Sequence, residues 1–352
     1  MRIIIAILVF CLIILIHEFG HFIVAKACGI YVREFALGMG PVLLRKQGKE
    51  TLYTIRLFPV GGFCSMDGED GGYDEDAVQE INPRAFNRKP VWQRMLVILA
   101  GPVMNLVLGF VVVIISLCTA DAIASTVISD FREAPVSCEY LKVDDKILSI
   151  EGTPIFSASD IGYKLQSGNR KNAEGNLVFD FKVKRGGETV LLKDVEFATT
   201  EGEDSTGVYL DFYVYPLKKT VGNVITSGFT ESVSIGRLMI MSLLDLIRGK
   251  YGLNYLSGPV GVVQIVTESV AYGFSTFMSL VALISINVAV MNLLPIPALD
   301  GCRFLFLLIE AIRRKPMKPE AEGLVHFIGL AALMVLMVVL TINDVMRIIT
   351  GG

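Results

Sequence analysis

Residues 3–25 form an apolar run broken at three positions only, His17, Glu18 and His21, within the stretch "LVFCLIILIHEFGHFIVAK". At about 1.5 Å per residue the run covers roughly 34 Å as a helix, enough for the hydrocarbon core of a bilayer. Ionisable side chains at that depth are costly and mark a functional site. A helix sets positions i and i+4 on one face, so His17 and His21 can offer two imidazole nitrogens to one tetrahedral zinc ion. Glu18 sits beside such an ion without being needed to bind it. It can take a proton from an attacking water and return it to a leaving amine. The alternative is a chance HExxH whose polar groups meet a neighbouring helix. With three histidines in the whole chain and two of them at this spacing, the metal pair is the stronger reading.

The other bulk properties fit a membrane protein with extramembrane mass attached. The 352 residues are 53% hydrophobic and 19% charged, where soluble domains are nearer a quarter charged. A net charge of −3 gives no basic field for nucleic acid. The six cysteines (Cys11, Cys28, Cys64, Cys118, Cys138, Cys302) have no paired spacing and read as free thiols. The first run has no small-residue cleavage site, and cleavage would discard the HEFGH group, so the run is expected to be retained.

Four segments are long enough to span: Ile3 to Ala25, Met95 to Ala120, about Phe277 to Leu294, and Leu324 to Ile342. The loop "EAIRRKPMKPE" between the last two carries Arg313, Arg314, Lys315 and Lys318, which orients it to the cytoplasm. Both termini and the segment after the second span then face outward, and loop 27–94 faces the cytoplasm. Within that loop, "ETLYTIRLFPVGGFCSM" (Glu50 to Met66) reads as strands, and "DGEDGGYDEDAVQE" (Asp67 to Glu80) as an acidic surface connector.

The chain therefore divides into a first membrane half (1–120), an extracytoplasmic β-rich domain (121–215), an amphipathic region (216–275) and a second membrane half (276–352). In the β-rich part, turns are expected at Glu151-Gly152 and Gly186-Gly187, with a capped helix in "SASDIGYKLQSG". "SIGRLMIMSLLDLIRGK" (Ser234 to Lys250) is helical but interrupted by Arg237, Asp245 and Arg248, so it reads as interfacial and not as a fifth span.

A catalytic zinc keeps three protein ligands and one open position. His326 is the remaining histidine and reads as a core or interfacial residue. "NVAVMNLLPIPALDGCRF" offers a carboxylate: Pro295 and Pro297 end the third span, the backbone beyond is expected to be extended, and Asp300 falls at the depth of His17 and His21. A plain helix-end carboxylate is the alternative for Asp300.

HEFGH in the first span and "NLLPIPALDG" near the third resemble the site-2 proteases, intramembrane zinc proteases, and most closely their bacterial RseP-like branch. "FALGMGP", "FPVGGFCSM", "AGPVMN" and "SGPVGV" extend the likeness over nearly the whole chain. The resemblance implies four transmembrane helices and one bound Zn2+ held by His17, His21 and Asp300, with Glu18 as general base. It also implies Asn292 near the substrate backbone, and a membrane-associated hairpin whose Gly61, Gly62 and Phe63 bind an unwound substrate as an added strand. An ordinary turn at Gly61-Gly62 is the alternative there. Segment 122–212 resembles one PDZ domain, with Tyr140 and Val143-Asp144 departing from its usual loop, and Cys302 stands where the family usually has Gly. The implied activity is regulated intramembrane proteolysis of single-pass segments such as truncated anti-sigma factors or signal-peptide remnants, in the bacterial cell membrane, with a further peptide or protein ligand on the PDZ-like domain. Competing readings are a membrane zinc protease of another family, whose third ligand is usually a Glu, and a PDZ-bearing membrane scaffold with a non-catalytic metal site. A scaffold has no use for Glu18.

Overall fold

A computed structural model describes the chain except for residues 1, 70–81, 134, 169, 174, 202–205, 209, 250–255 and 351–352. Most of the acidic connector thus lies outside the described residues. The chain forms two compact units, one of residues 1–112 with 242–352 and one of 113–241.

The chain begins with α1 (Arg2–Ala27), a ribbon of β1 (Val32–Gln47) and β2 (Leu52–Met66), and α2 (Val91–Thr119). β1 and β2 pair antiparallel, but the register shifts repeatedly: Phe35 pairs with Cys64 and with Tyr53, and Lys46 also pairs with Tyr53. Gly38, Gly40 and Gly61 have φ of +87°, +85° and +85°, the left-handed backbone that lets the long strands double back. The ribbon therefore has a partner strand, β1, beyond the Glu50 to Met66 stretch read from sequence. Its loop lies between Gln47 and Leu52, and Gly61-Gly62 lies inside β2 instead of at the turn.

The second unit holds a sheet in the order β10-β3-β4-β6-β7, from β3 (Ile123–Phe131), β4 (Lys146–Ile150), β6 (Leu177–Arg185), β7 (Glu188–Phe197) and β10 (Phe212–Leu217), with β5 (Thr153–Pro154) paired to β4. β8 (Thr199–Glu201) and β9 (Thr206–Val208) pair separately. Glu151 and Gly152 (φ +50° and +70°) close β4 onto β5, and Gly186 and Gly187 (+56° and +94°) close β6 onto β7. Positive φ at both central residues is what the right-handed twist of a two-residue hairpin demands. Phe179, Phe181, Phe197 and Phe212 are fully buried in this unit's core, each contributing roughly 2–3 kcal/mol of transfer free energy.

α3 (Ala158–Gln166) is capped by Asp160, whose carboxylate accepts the Phe156 and Ser157 N–H groups at 2.7 and 3.1 Å. α4 (Val221–Ile247) begins well before the expected Ser234. Thr220 supplies its cap by accepting the Asn223 N–H at 3.2 Å, and Thr226, Thr230 and Ser232 return their hydroxyls to carbonyls four residues back. These bonds satisfy the hydroxyls on the helix's own carbonyls, so the Ser/Thr side chains do not compete for the backbone N–H groups.

The first unit resumes with α5 (Pro259–Ser269), α6 (Phe274–Leu293), α7 (Asp300–Arg313) and α8 (Pro319–Thr350). Asp344 of α8 accepts the Gly258 and Gly261 N–H groups at 3.0 and 2.7 Å, so a buried carboxylate caps α5 from another helix. A Cβ at either glycine would meet Asp344, which accounts for the "SGPVGV" spacing.

Among the described residues four helices are long and apolar enough to cross a membrane: Ile3–Ala27, Val91–Thr119, Phe274–Leu293 and Glu320–Arg347. The second starts before its uncharged run because Arg94 is matched by Glu310 of α7 through hydrogen bonds of 3.1 and 2.5 Å. α4 is not one of the four.

Asp300 was expected on extended backbone after the prolines, but it is the first residue of α7. Pro295 and Pro297 end α6, and a turn follows at once. A carboxylate at a helix N-terminus is favoured by the free N–H groups there, so α7 begins on it.

Candidate metal centre

α1 carries His17, Glu18 and His21 one turn apart, and α2 crosses against that face at glycines. A Cβ on Gly20 would strike the Ala100 carbonyl, and one on Gly101 would strike His21 Nε2 and, at 2.9 Å, His17 Cε1. Pro102 follows Gly101 inside α2 and leaves the Ile98 carbonyl without its helical donor, loosening the helix at the crossing. On the other side, a Cβ on Gly62 of β2 would touch Glu18 and Ile14, so the ribbon lies against α1 at the same level.

His17 Nε2 and His21 Nε2 are 3.2 Å apart, and Asp300 Oδ2 lies 3.0 Å from the first and 3.5 Å from the second. Tetrahedral zinc with bonds of about 2.0–2.1 Å separates its ligand atoms by about 3.3 Å, so these three atoms stand at the edges such an ion requires. Asp300 Oδ2 is buried and has no hydrogen bond of sound geometry among the described residues, although both nitrogens are near. The group is the set of His and acidic residues able to hold a metal ion among the described residues.

The surroundings fix the His21 imidazole. His21 Nδ1 is 2.8 Å from the Val97 carbonyl, an acceptor only, so Nδ1 carries the proton and Nε2 keeps its lone pair for the centre. His17 Nδ1 lies 3.4 Å from the amide nitrogen Nδ2 of the fully buried Asn105, and Asn105 is held in turn where Ser285 Oγ donates to its backbone carbonyl at 2.9 Å.

Asp300 is aimed by the loop between α6 and α7. Gly301 is obligatory because a Cβ there would collide with the Leu293 and Leu294 carbonyls. His326 of α8 does not join the trio, and its Nδ1 accepts the Ala298 N–H at 3.1 Å.

The centre opens into a cavity of about 460 Å³ whose walls include Glu18, Phe63, Cys64, Met66, Glu69 and Arg303. Phe63 thus reaches the cavity, whereas Gly61, Gly62 and Asn292 do not line it. Asn292 is half-buried in the last turn of α6, and Cys302 is buried outside the cavity. Sequence reading missed Glu69 and Arg303, which form an ion pair at the cavity wall. It also missed Gly101 and Asn105, whose signal was the "AGPVMN" motif in an apolar run. Burial, reinforced by Glu18 and Glu69, pushes the Cys64 thiol up.

Gly101→Ala is expected to displace both histidines together and to lower zinc occupancy of the purified chain by at least about tenfold, since even indirect disturbance of metal ligands costs 10–100-fold in affinity. Wild-type occupancy in elemental analysis would show that the crossing can yield without moving the centre.

The pattern of Peptidase family M50 matches residues 5–336. The chain is 32% identical to the regulator of sigma-W protease RasP of Bacillus subtilis, over 97% of each chain. It is 33% identical to the zinc metalloprotease RasP of Geobacillus kaustophilus, again over 97% of each. The family model covers most of the chain and the relatives match along nearly their whole length, so the chain is a member of that family: a site-2-type zinc metalloendopeptidase of peptidase family M50.

Proposed function

We propose that His17, His21 and Asp300 hold the zinc ion and that Glu18 is the general base and acid of peptide hydrolysis within the membrane. The observation that carries this is the trio's spacing, with Glu18 on the same wall of one cavity and outside the ligand set. Bound zinc supplies Lewis-acid polarisation of the scissile carbonyl and makes water easier to deprotonate. Glu18 accepts the water proton and delivers it to the leaving nitrogen. His21, locked by Val97, presents its Nε2 atom without rearrangement, with His17 Nε2 3.2 Å from it.

The substrate is a single-pass transmembrane segment. A helix hides its peptide bonds, so the target binds extended, as a strand added along the β1–β2 ribbon with Phe63 at the cavity wall. Gly61 and Gly62 allow the close backbone approach, and Asn292 contributes from the end of α6. By likeness to RasP, the natural targets are membrane-bound regulators of sigma factors, such as trimmed anti-sigma factors, with signal-peptide remnants as a second group. Residues 121–215 are read as one PDZ-like domain on the outer face that binds a peptide or protein, between membrane halves 1–120 and 276–352, with the amphipathic region 216–275 before the second. Arg313, Arg314, Lys315 and Lys318 orient the α7–α8 connection to the cytoplasm, with both termini outside, in a bacterial cell membrane.

The test uses the purified chain in liposomes with a single-span helical peptide and, separately, a soluble unfolded peptide. Cleavage within the span, stopped by a zinc chelator and restored by zinc, is expected. Cleavage confined to the soluble peptide, or unaffected by chelation, would overturn the reading.

A further inference from the structure

Among the described residues, one backbone N–H of the loop that carries Asp300 towards the centre is bonded to another helix. Pro295 and Pro297 have no N–H to give. Of the four N–H groups in residues 294–299, three stay local: Leu294 bonds Met291, Ile296 bonds Leu294, and Leu299 bonds Ile296, at 3.1, 2.7 and 3.1 Å. The fourth, on Ala298, leaves the loop and donates to His326 Nδ1 of α8 at 3.1 Å. Ala298 has φ +74°, a left-handed conformation that crowds its Cβ and that an alanine leaves readily unless something holds it. Asp300 follows two residues later.

Three further features hold the histidine to this task. The Ala298 N–H can only donate, so Nδ1 carries a lone pair, the ring proton sits on Nε2, and the imidazole is neutral. Phe306 of α7 meets the ring edge-on at a centroid distance of 5.8 Å, which sets its plane. One turn further along α8, Gly329 packs so closely on Pro297 that a Cβ there would meet the Pro297 Cβ and backbone. α8 therefore grips the loop at two adjacent residues, through a hydrogen bond and a close packing contact.

We infer that His326 is a positioning residue for the metal centre: it holds Ala298 in the left-handed conformation and thereby aims the Asp300 carboxylate at the point shared by His17 and His21. This rests on the reading of Asp300 as a zinc ligand. Ligands must be held within about half an ångström of the productive geometry, so release of Ala298 loosens zinc without touching it. A histidine chosen for ligation would turn a nitrogen to the trio, and this one turns it to a backbone amide.

The experiment compares purified full-length variants for zinc affinity, by competition with a chelator, and for the visible spectrum of the cobalt-substituted protein. His326→Leu keeps much of the volume and loses the acceptor; zinc affinity should fall about tenfold or more, with an altered cobalt spectrum. His326→Asn restores an acceptor near the Nδ1 position and should bind like wild type. His326→Gln places its oxygen further out, near the Nε2 position, and should bind like the leucine variant. Adding Ala298→Gly to His326→Leu removes the left-handed strain and should recover part of the affinity. Should His326→Leu not fold, the Asn and Gln pair decides. The inference is overturned if His326→Leu binds zinc with wild-type affinity and spectrum, if Asn is no better than Gln, or if Ala298→Gly recovers nothing. Asp300→Ala run alongside separates the two readings: weakened zinc there with an unaffected His326→Leu overturns the inference alone, whereas wild-type zinc in Asp300→Ala overturns the ligand reading beneath it.

Discussion

Glu18→Gln is expected to retain zinc and to lose cleavage of a membrane-spanning substrate by at least about 100-fold, the lower end of what a positioned acid–base group contributes. Glutamine keeps the size and the hydrogen-bonding reach of the side chain, so the ribbon at Gly62 and the cavity wall have no reason to shift. What disappears is the ability to accept a proton from water and pass it on. The trio of nitrogens and carboxylate oxygen is complete without Glu18, so bound zinc should stay at the wild-type ratio. A variant that loses zinc would make Glu18 a ligand, and a variant that cleaves normally would remove the proposed base. Either can be read by pairing elemental analysis with a peptide-cleavage assay.

Asp300→Ala is expected to weaken zinc binding by on the order of 100-fold or more and to remove activity with it, because two imidazoles alone leave a catalytic zinc short of its third protein ligand. Asp300→Asn should fail nearly as far, since a neutral amide oxygen is a weaker partner for a dication. The fold should survive both changes: Gly301 still starts α7 against Leu293 and Leu294, and Arg94 still pairs with Glu310. Circular dichroism unchanged with zinc lost is the expected combination. Activity retained in Asp300→Ala would mean that the carboxylate is only a helix-end residue.

The parts legible in the sequence were those that local chemistry fixes. Four apolar runs of sufficient length mark the candidate spans, since a spanning helix needs only length and low charge. His17, Glu18 and His21 stand out because polar residues are rare at that depth. The hairpins at Glu151-Gly152 and Gly186-Gly187 are legible because Gly152, Gly186 and Gly187 tolerate positive φ. Elsewhere the deciding forces were distant. β1 alternates poorly, its glycines break the pattern, and its register depends on β2. α4 starts early, where Thr220 caps its first turn. The helical start at Asp300 was hidden because the two prolines suggested extended chain, whereas a turn pinned by α8 intervenes. Gly101, Asn105 and Arg303 look like ordinary helix residues until a second helix or the ribbon is laid beside them.

The central claim is that one zinc ion is held by two imidazoles and one carboxylate. X-ray absorption at the zinc edge of the purified chain tests it most directly, because nitrogen and oxygen neighbours differ from sulfur in both distance and scattering. The account predicts light-atom neighbours at about 2.0–2.2 Å, two of them imidazole, and loss of the bound metal in Asp300→Ala. A sulfur neighbour at about 2.3 Å, or an unchanged spectrum in Asp300→Ala, would contradict it.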